Sequence, residues 1–486
     1  MADITTLEPK KLWHFFAELC KIPHGSGNEE GIRKFLIKFA DERGLKYKRD
    51  TVGNVVIYKE ASNGFKSAKP LIYQAHMDMV CESDPKIGWD PLKDPVKPRI
   101  DGDWVVATGT TLGSDNGMGM AAMLAVCDDK SLKHGPVECL FTTTEETGLD
   151  GAFGLQNDML NGRTMVNLDS EDERIIFVGC AGGCETTVNI PLSRKALPKE
   201  HIGLQITISG LKGGHSGLMI NEQRGNAIKL IARVLYGLHR RYHILLCDIN
   251  GGTRRNVIPN LATATIALKR TARAKIVGYI EELKRNITDE LRIIDPDFKL
   301  ELKDVPVTES LNHKLSDKIL CYLHSQPHGV ITMSYDIPGL VQTSTNLAIV
   351  HTNNDFVTVA ALSRSSSATE IEAVKDRLAA HAELIGIEVE ESGGYPGWQP
   401  NLSSHILKLT KKIFNEMFGA EPKHAAIHAG LECGIIGEKF PGMDMISFGP
   451  EIKGAHSINE KVHIKSAGEF YNALVKIAEN FAKEGA

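Results

Sequence analysis

Apolar and polar positions follow two periods along this chain. Leu12, Phe15, Phe16 and Leu19 recur at helical spacing behind Pro9 and predict a first helix. A second is expected from Ile32, Phe35, Leu36 and Phe39, with Asn28 as its cap, Glu29 and Glu30 at its positive end and Gly44 as its stop. Short apolar runs follow: NVVIYK, LIYQAHM, VECLFTTT, RTMVNLD and RIIFVGC read as strands, with a Gly- and Ala-rich helix near residues 116–127 among them. Strands alternating with helices predict an α/β fold, a sheet with helices on both faces.

From about residue 187 the pattern changes to strand, loop, long helix, then strand and helix again. There ATATIALKR followed by KIVGYIEELKRNITDEL resembles DFVTVAALSR followed by TEIEAVKDRLAAHAEL, which suggests two related β-β-α halves. After the turn-rich SGGYPGWQPN the helix-and-strand alternation of the first segment returns. The expected organisation is a first domain in two parts, residues 1–186 and 396–486, with residues 187–395 inserted as an α+β domain. A length of 486 residues agrees, because one hydrophobic core stops growing well before that size.

Composition narrows the class. With 42% hydrophobic residues, 24% charged residues and a formal net charge of −5, the chain reads as a soluble globular protein. No basic stripe interleaved with aromatics points to nucleic acid. The start MADITTLEPKKLW carries no secretory pattern and no apolar run approaches a membrane span, so a cytoplasmic location without membrane attachment is expected. Nine scattered cysteines predict reduced thiols, with Cys180 and Cys184 of CAGGC as buried structural groups rather than zinc ligands.

The candidate chemistry lies at strand ends. His76 and Asp78 form a His-x-Asp just past LIYQA, and period two aims both side chains the same way. Asp115 sits where the glycine-rich TGTTLGSDNGMG opens into a helix, Glu145 and Glu146 end CLFTTT, Asp169 ends RTMVNLD, and His456 lies in the loop GPEIKGAHSINE. Each alone has an ordinary explanation, as a turn, a helix cap or a solvated face. Strand ends on one edge of an α/β sheet converge on a crevice, however, and so many carboxylates together repel one another without cations. Two divalent metals would relieve this. With one Asp bridging, one metal could take His76 and Asp169 and the other Glu146 and His456, each keeping an open position.

QAHMDM, GSDNGMG, TTEETG, NLDSED, LKGGHSG, NVIPN and the late GAHS resemble, in order and spacing, the aminoacylase and dipeptidase family of di-zinc metallopeptidases, over essentially the whole chain. TTEETGLDGAFGL, GLKGGHSGLMI and HAGLECG resemble the branch acting on aminoacyl-histidine dipeptides. The resemblance implies an exopeptidase-like catalytic domain with a mixed sheet flanked by helices, and a lid formed by the inserted domain. It implies Asp115 as the bridging ligand, with His76, Glu146, Asp169 and His456 completing two metal sites, Asp78 orienting His76 and Glu145 as general base. From the lid, His215 would donate to the oxyanion, and Asn256 and Arg364 would bind substrate, Arg364 through a free carboxylate. The implied reaction is hydrolysis of dipeptides, including carnosine, held between lid and catalytic domain. Zinc is the implied metal, although His and carboxylate donors also accept cobalt or manganese. An N-acyl amino acid deacylase or a tripeptidase of the same family is the nearest alternative; an inactive metal-binding or scaffold protein is another, against which stand the chemically competent residues at all seven positions. The lid could complete the site within one chain or with another subunit, and a homodimer is the expectation.

Overall fold

The computed structural model describes residues 3–484. The described chain divides into two compact units, one formed by residues 3–180, 398–426 and 431–484, the other by residues 181–397 and 427–430.

The first unit is built on a mixed eight-stranded sheet. Its order is Lys46–Arg49, Val55–Lys59, Val137–Thr142, Leu71–His76, Thr164–Asn167, Asp444–Ser447, Ile175–Cys180 and Lys423–Ile427. Leu71–His76 runs parallel to both its neighbours, and Asp444–Ser447 runs parallel to Thr164–Asn167. Parallel strands covered on both faces are expected to be apolar throughout, and Val137–Thr142 and Leu71–His76 are buried at every position. Their C-terminal ends therefore share one edge. A separate four-stranded sheet joins Trp104–Ala107 to Lys461–His463. It brings the loop before Asp115 beside the loop after His456.

The Lys10–Cys20 helix buries Leu12, Phe15, Phe16 and Leu19, and Gly44 closes the Glu30–Arg43 helix in the left-handed region at φ 64°. The cap of that second helix differs from expectation. Glu29, not Asn28, occupies the cap position and makes no side-chain cap bond, because its Oε1 accepts instead from the Gly27 amide and the Thr144 hydroxyl, both at 3.0 Å. Cys180 and Cys184 are both buried. Among the described residues no helix is long and apolar enough to cross a membrane.

The second unit holds a sheet ordered Lys299–Val305, His201–Ser209, Ala262–Lys269, Leu245–Gly251, Val341–Thr352, Phe356–Ser365, Gly182–Pro191 and Glu390–Tyr395. Its pairings are antiparallel. The hairpin of Leu245–Gly251 with Ala262–Lys269 leads into the Arg273–Leu291 helix, and that of Val341–Thr352 with Phe356–Ser365 leads into the Ala368–Glu383 helix. The strand after each helix lies at an outer end of the sheet order, so the order reads alike from both ends. Ile206, Leu235, Ile266, Ile280 and Leu320 form part of the core beneath it.

The Ser114–Asp128 helix carries Asp115 in its first turn and packs against the Lys10–Cys20 helix and the Leu71–His76 strand. A Cβ at Gly119 would meet those of Leu168 at 3.0 Å and Ala75 at 3.1 Å. Small residues are thus what bring the helix close to the sheet. In an open helix, replacing glycine gains stability; here Gly119→Val is expected to cost about 1–3 kcal/mol through overpacking. Urea denaturation checks this, and an unchanged midpoint would contradict the close approach.

Candidate metal centre

Three strands and two loops of the first unit deliver the site. His76 is the last residue of Leu71–His76, Asp169 lies two residues beyond Thr164–Asn167, and Glu145 and Glu146 open a one-turn helix shortly after Val137–Thr142. Asp115 follows Gly113, which takes φ 70°. Thr144 at φ 53° and His456 at φ 61° occupy the left-handed region, uncommon without glycine and often found where a side chain must be aimed.

Asp115 stands between the two histidines. Its Oδ1 lies 3.0 Å from His76 Nε2 and its Oδ2 lies 3.2 Å from His456 Nε2. His76 Nε2 also lies 3.1 Å from Asp169 Oδ1, and His456 Nε2 lies 3.0 Å from Glu146 Oε2. The donors thus form two sets sharing Asp115. His76, Asp115 and Glu146 each offer an atom within 4.8 Å of the others. The His76 Nδ1–H donates to the backbone carbonyl of Asp78 at 2.9 Å, which leaves Nε2 facing the carboxylates.

Asp78 acts differently from the carboxylate acceptor expected for His76. Its Oδ1 is 3.6 Å from His76 Nδ1, because the carboxylate accepts the Glu145 amide at 2.9 Å, the Glu146 amide at 3.2 Å and the Ser26 hydroxyl at 2.8 Å. Asp78 therefore fixes the turn carrying the two glutamates, while its main chain orients the imidazole. Burial opposes this carboxylate's charge, but His76 and these donors together hold its pKa down near 2.

The electrostatics reflect crowding. Burial, with Asp115 and Glu146 adding like charge, raises Asp169 to about 6 despite His76. Burial, Asp115 and Asp169 push Glu171 to about 8. Glu145 rises well above the ordinary range through burial and the carboxylates of Asp169, Glu432 and Glu146. Burial disfavours charge on His76, yet the carboxylates of Asp169, Asp115 and Asp78 outweigh it and hold its pKa high. Hydrogen bonds to Asp115 and Glu146 lift His456 to about 11. Glu146 Oε1 is buried without a hydrogen-bond partner. Imidazole and carboxylate donors with an unused buried oxygen fit divalent cations, which would cancel the repulsion.

Sequence reasoning missed Asn116, Glu460 and Glu432. Asn116 Nδ2 donates to Asp169 Oδ1 at 2.6 Å. Glu460 accepts the amides of Leu112 at 2.8 Å, Gly113 at 3.1 Å and Ser114 at 2.7 Å, and the Ser114 hydroxyl at 2.6 Å. Its available signal was position, four residues past His456. Glu432 stands inside the motif HAGLECG, which is the signal that could have singled it out.

The residues expected to bind substrate belong to the second unit. His215 pairs with Val257 directly after Asn256, and Asn256 itself is exposed in a turn. The His215 Nδ1 accepts the amides of Gly217 at 3.3 Å and Leu218 at 3.1 Å, which leaves its Nε2 carrying the proton. Burial, aided by Arg364, lowers its pKa to about 4, so the ring is neutral. Arg364 is only 5% exposed, which removes a surface role; it donates to the Tyr395 hydroxyl at 2.7 Å, and its Nε is buried and unbonded. His428, also missed, joins this group, with Nε2 2.7 Å from the Ser344 hydroxyl and Nδ1 buried and unbonded.

The sequence profile of peptidase family M20/M25/M40 matches residues 72–480. The chain belongs to this family. Among M20-family relatives, the cytosol non-specific dipeptidase of Escherichia coli (strain K12) is 41% identical over 478 residues, covering 98% of this chain and 99% of that protein. The crystal structure of aminoacylhistidine dipeptidase from Vibrio alginolyticus matches with TM-score 0.93 at 40% identity, covering 99% of this chain and 98% of that one. A tripeptidase from Staphylococcus aureus subsp. aureus mu50 shares the M20 fold at TM-score 0.57 and 17% identity, with 98% and 99% covered. The α/β fold and the peptidase family expected from the ordered motifs are those found.

Glu460→Ala strands buried amides and frees the loop before Asp115. It is expected to lower the thermal midpoint and to weaken divalent-metal binding about 10–100-fold. Titration in free-metal buffers checks this; wild-type affinity in the variant would contradict a supporting role.

Proposed function

We propose that this chain is a two-metal dipeptidase that hydrolyses dipeptides, among them Xaa-His dipeptides such as carnosine. The observation that carries the reading is Asp115, with one oxygen facing His76 and the other His456 while each histidine meets a second carboxylate. In this reading His76, Asp169 and Asp115 hold one divalent ion and His456, Glu146 and Asp115 the other. Zinc suits these donors, and cobalt or manganese can replace it. When bound, the ions supply Lewis acidity toward the scissile carbonyl and make nearby water more acidic.

The chain's own residues supply the rest. Glu145, whose neighbour Glu146 is occupied as a ligand, takes the proton of the attacking water and passes it to the leaving amine. Asp78 keeps the two glutamates in place through their amides. On the second unit, the neutral His215 presents an Nε2–H suited to a developing oxyanion, and Arg364, buried with its Nε unbonded, suits the free carboxylate of a short peptide. Binding a carboxylate that only a short substrate places correctly favours dipeptides, because a longer chain leaves a charged end unpaired. Asn256 adds a polar contact to substrate in the same reading. A cytoplasmic location and a homodimer complete it; the cytosolic nature of the Escherichia coli relative supports the first, and gel filtration tests the second.

Hydrolysis of alanyl-histidine and carnosine by purified protein is expected to stop on chelation, to return with zinc, cobalt or manganese, and to fall about 10²–10⁴-fold in Glu145→Ala. N-acetyl amino acids and a tripeptide run beside them are expected to turn over poorly. Preference for the acetylated substrates would overturn the dipeptidase reading in favour of a deacylase.

A further inference from the structure

Glu432 opens the Glu432–Lys439 helix and is fully buried. Its Oε2 accepts from Gln74 Nε2 at 2.6 Å and from the Thr142 hydroxyl at 2.7 Å. Gln74 Oε1 accepts from Asn167 Nδ2 at 2.5 Å, and Asn167 Oδ1 accepts the Asp169 amide at 3.2 Å. Gln74 and Asn167 are register partners on adjacent parallel strands, and Thr142 stands opposite His76 on the next one.

The spacing of this row matters. Gln74 comes two residues before His76, Asn167 two before Asp169, and Thr142 three before Glu145. All three are wholly buried in strands whose neighbours are Ile72, Leu140, Phe141, Met165 and Val166. A buried polar row in a parallel sheet is a poor source of stability, since well-packed apolar side chains of similar volume generally serve as well or better. Its members are instead placed where each strand is about to deliver a donor to the metal centre.

We propose that Glu432 is a positioning residue of that centre, a single carboxylate that fastens three neighbouring strand ends so that residues 76, 145, 146 and 169 keep the spacing two ions require. The role rests on the two-metal reading above. Glu432 works through Gln74, Thr142 and Asn167, the last bonded to the Asp169 amide, in the way that hydrogen-bonded outer groups orient metal ligands. One oxygen accepting from two strands is what a buried carboxyl group offers at this place.

The test compares wild type with Glu432→Ala, Glu432→Gln and Thr142→Val. Zinc affinity is measured by equilibrium dialysis in free-metal buffers, kcat and KM for alanyl-histidine at saturating zinc, and folding by circular dichroism. Glu432→Ala is expected to bind zinc about 10–100-fold more weakly and to lose a comparable factor in kcat with KM little changed. Glu432→Gln keeps an acceptor for Gln74 and Thr142 and is expected to recover most of both. Should Glu432→Ala not fold, Thr142→Val, which removes one donor at nearly constant volume, is expected to show a smaller loss of the same kind. Wild-type zinc affinity and kcat in every folded variant would overturn the role, as would a rise in KM alone. A wild type that binds no zinc would instead sink the two-metal reading.

Discussion

Mutual repulsion among carboxylates is the constraint on which this structure turns. Asp115, Glu145, Glu146, Asp169 and Glu171 belong to one crowded region, and burial with like charge lifts Glu145, Asp169 and Glu171 above their ordinary range. The imidazoles of His76 and His456 offset part of this from within the group. A fold without use for the arrangement would disperse it, since each uncompensated buried charge is costly. The sheet, the glycine-rich loop and the close-packed small-residue helix all act to hold these groups where they repel.

The carboxylates that support the site are handled differently from those that form it. Asp78 and Glu460 are satisfied by backbone amides, three or more donors each when hydroxyls are included. Such a carboxylate has its charge largely offset by local donors and can stiffen a loop, even where, as for Glu460, burial and the nearby Asp115 still raise its pKa. Asp78 holds the turn of Glu145 and Glu146, and Glu460 ties the loop of Asp115 to the chain just beyond His456. Adjacent glutamates can then differ in role, because the turn that carries them is fixed from behind.

Much of this was legible in the sequence, for physical reasons. Parallel strands buried on both faces are short apolar runs that end abruptly, so a polar residue directly after LIYQA, CLFTTT or RTMVNL marks a sheet edge. His456 lacks such a frame; it sits in a loop, and only the ordered motifs pointed to it. Glu460 and Glu432 were passed over although position after His456 and the motif HAGLECG marked them, because a glutamate in a loop or at a helix start reads as solvated, and what buries them lies hundreds of residues away in sequence. Asn28 failed as a cap for a related reason: Glu29 is drawn to a distant partner, Thr144, that local spacing cannot reveal. Residues 427–430, which group with the second unit, likewise owe their place to contacts remote in sequence.

The most direct test of the central claim is anomalous diffraction at the zinc edge from crystals grown with zinc. Two peaks per chain are predicted, one bordered by His76, Asp169 and Asp115 and the other by His456, Glu146 and Asp115. A single peak, or peaks that leave Asp115 without a metal on either side, would contradict the shared two-metal centre.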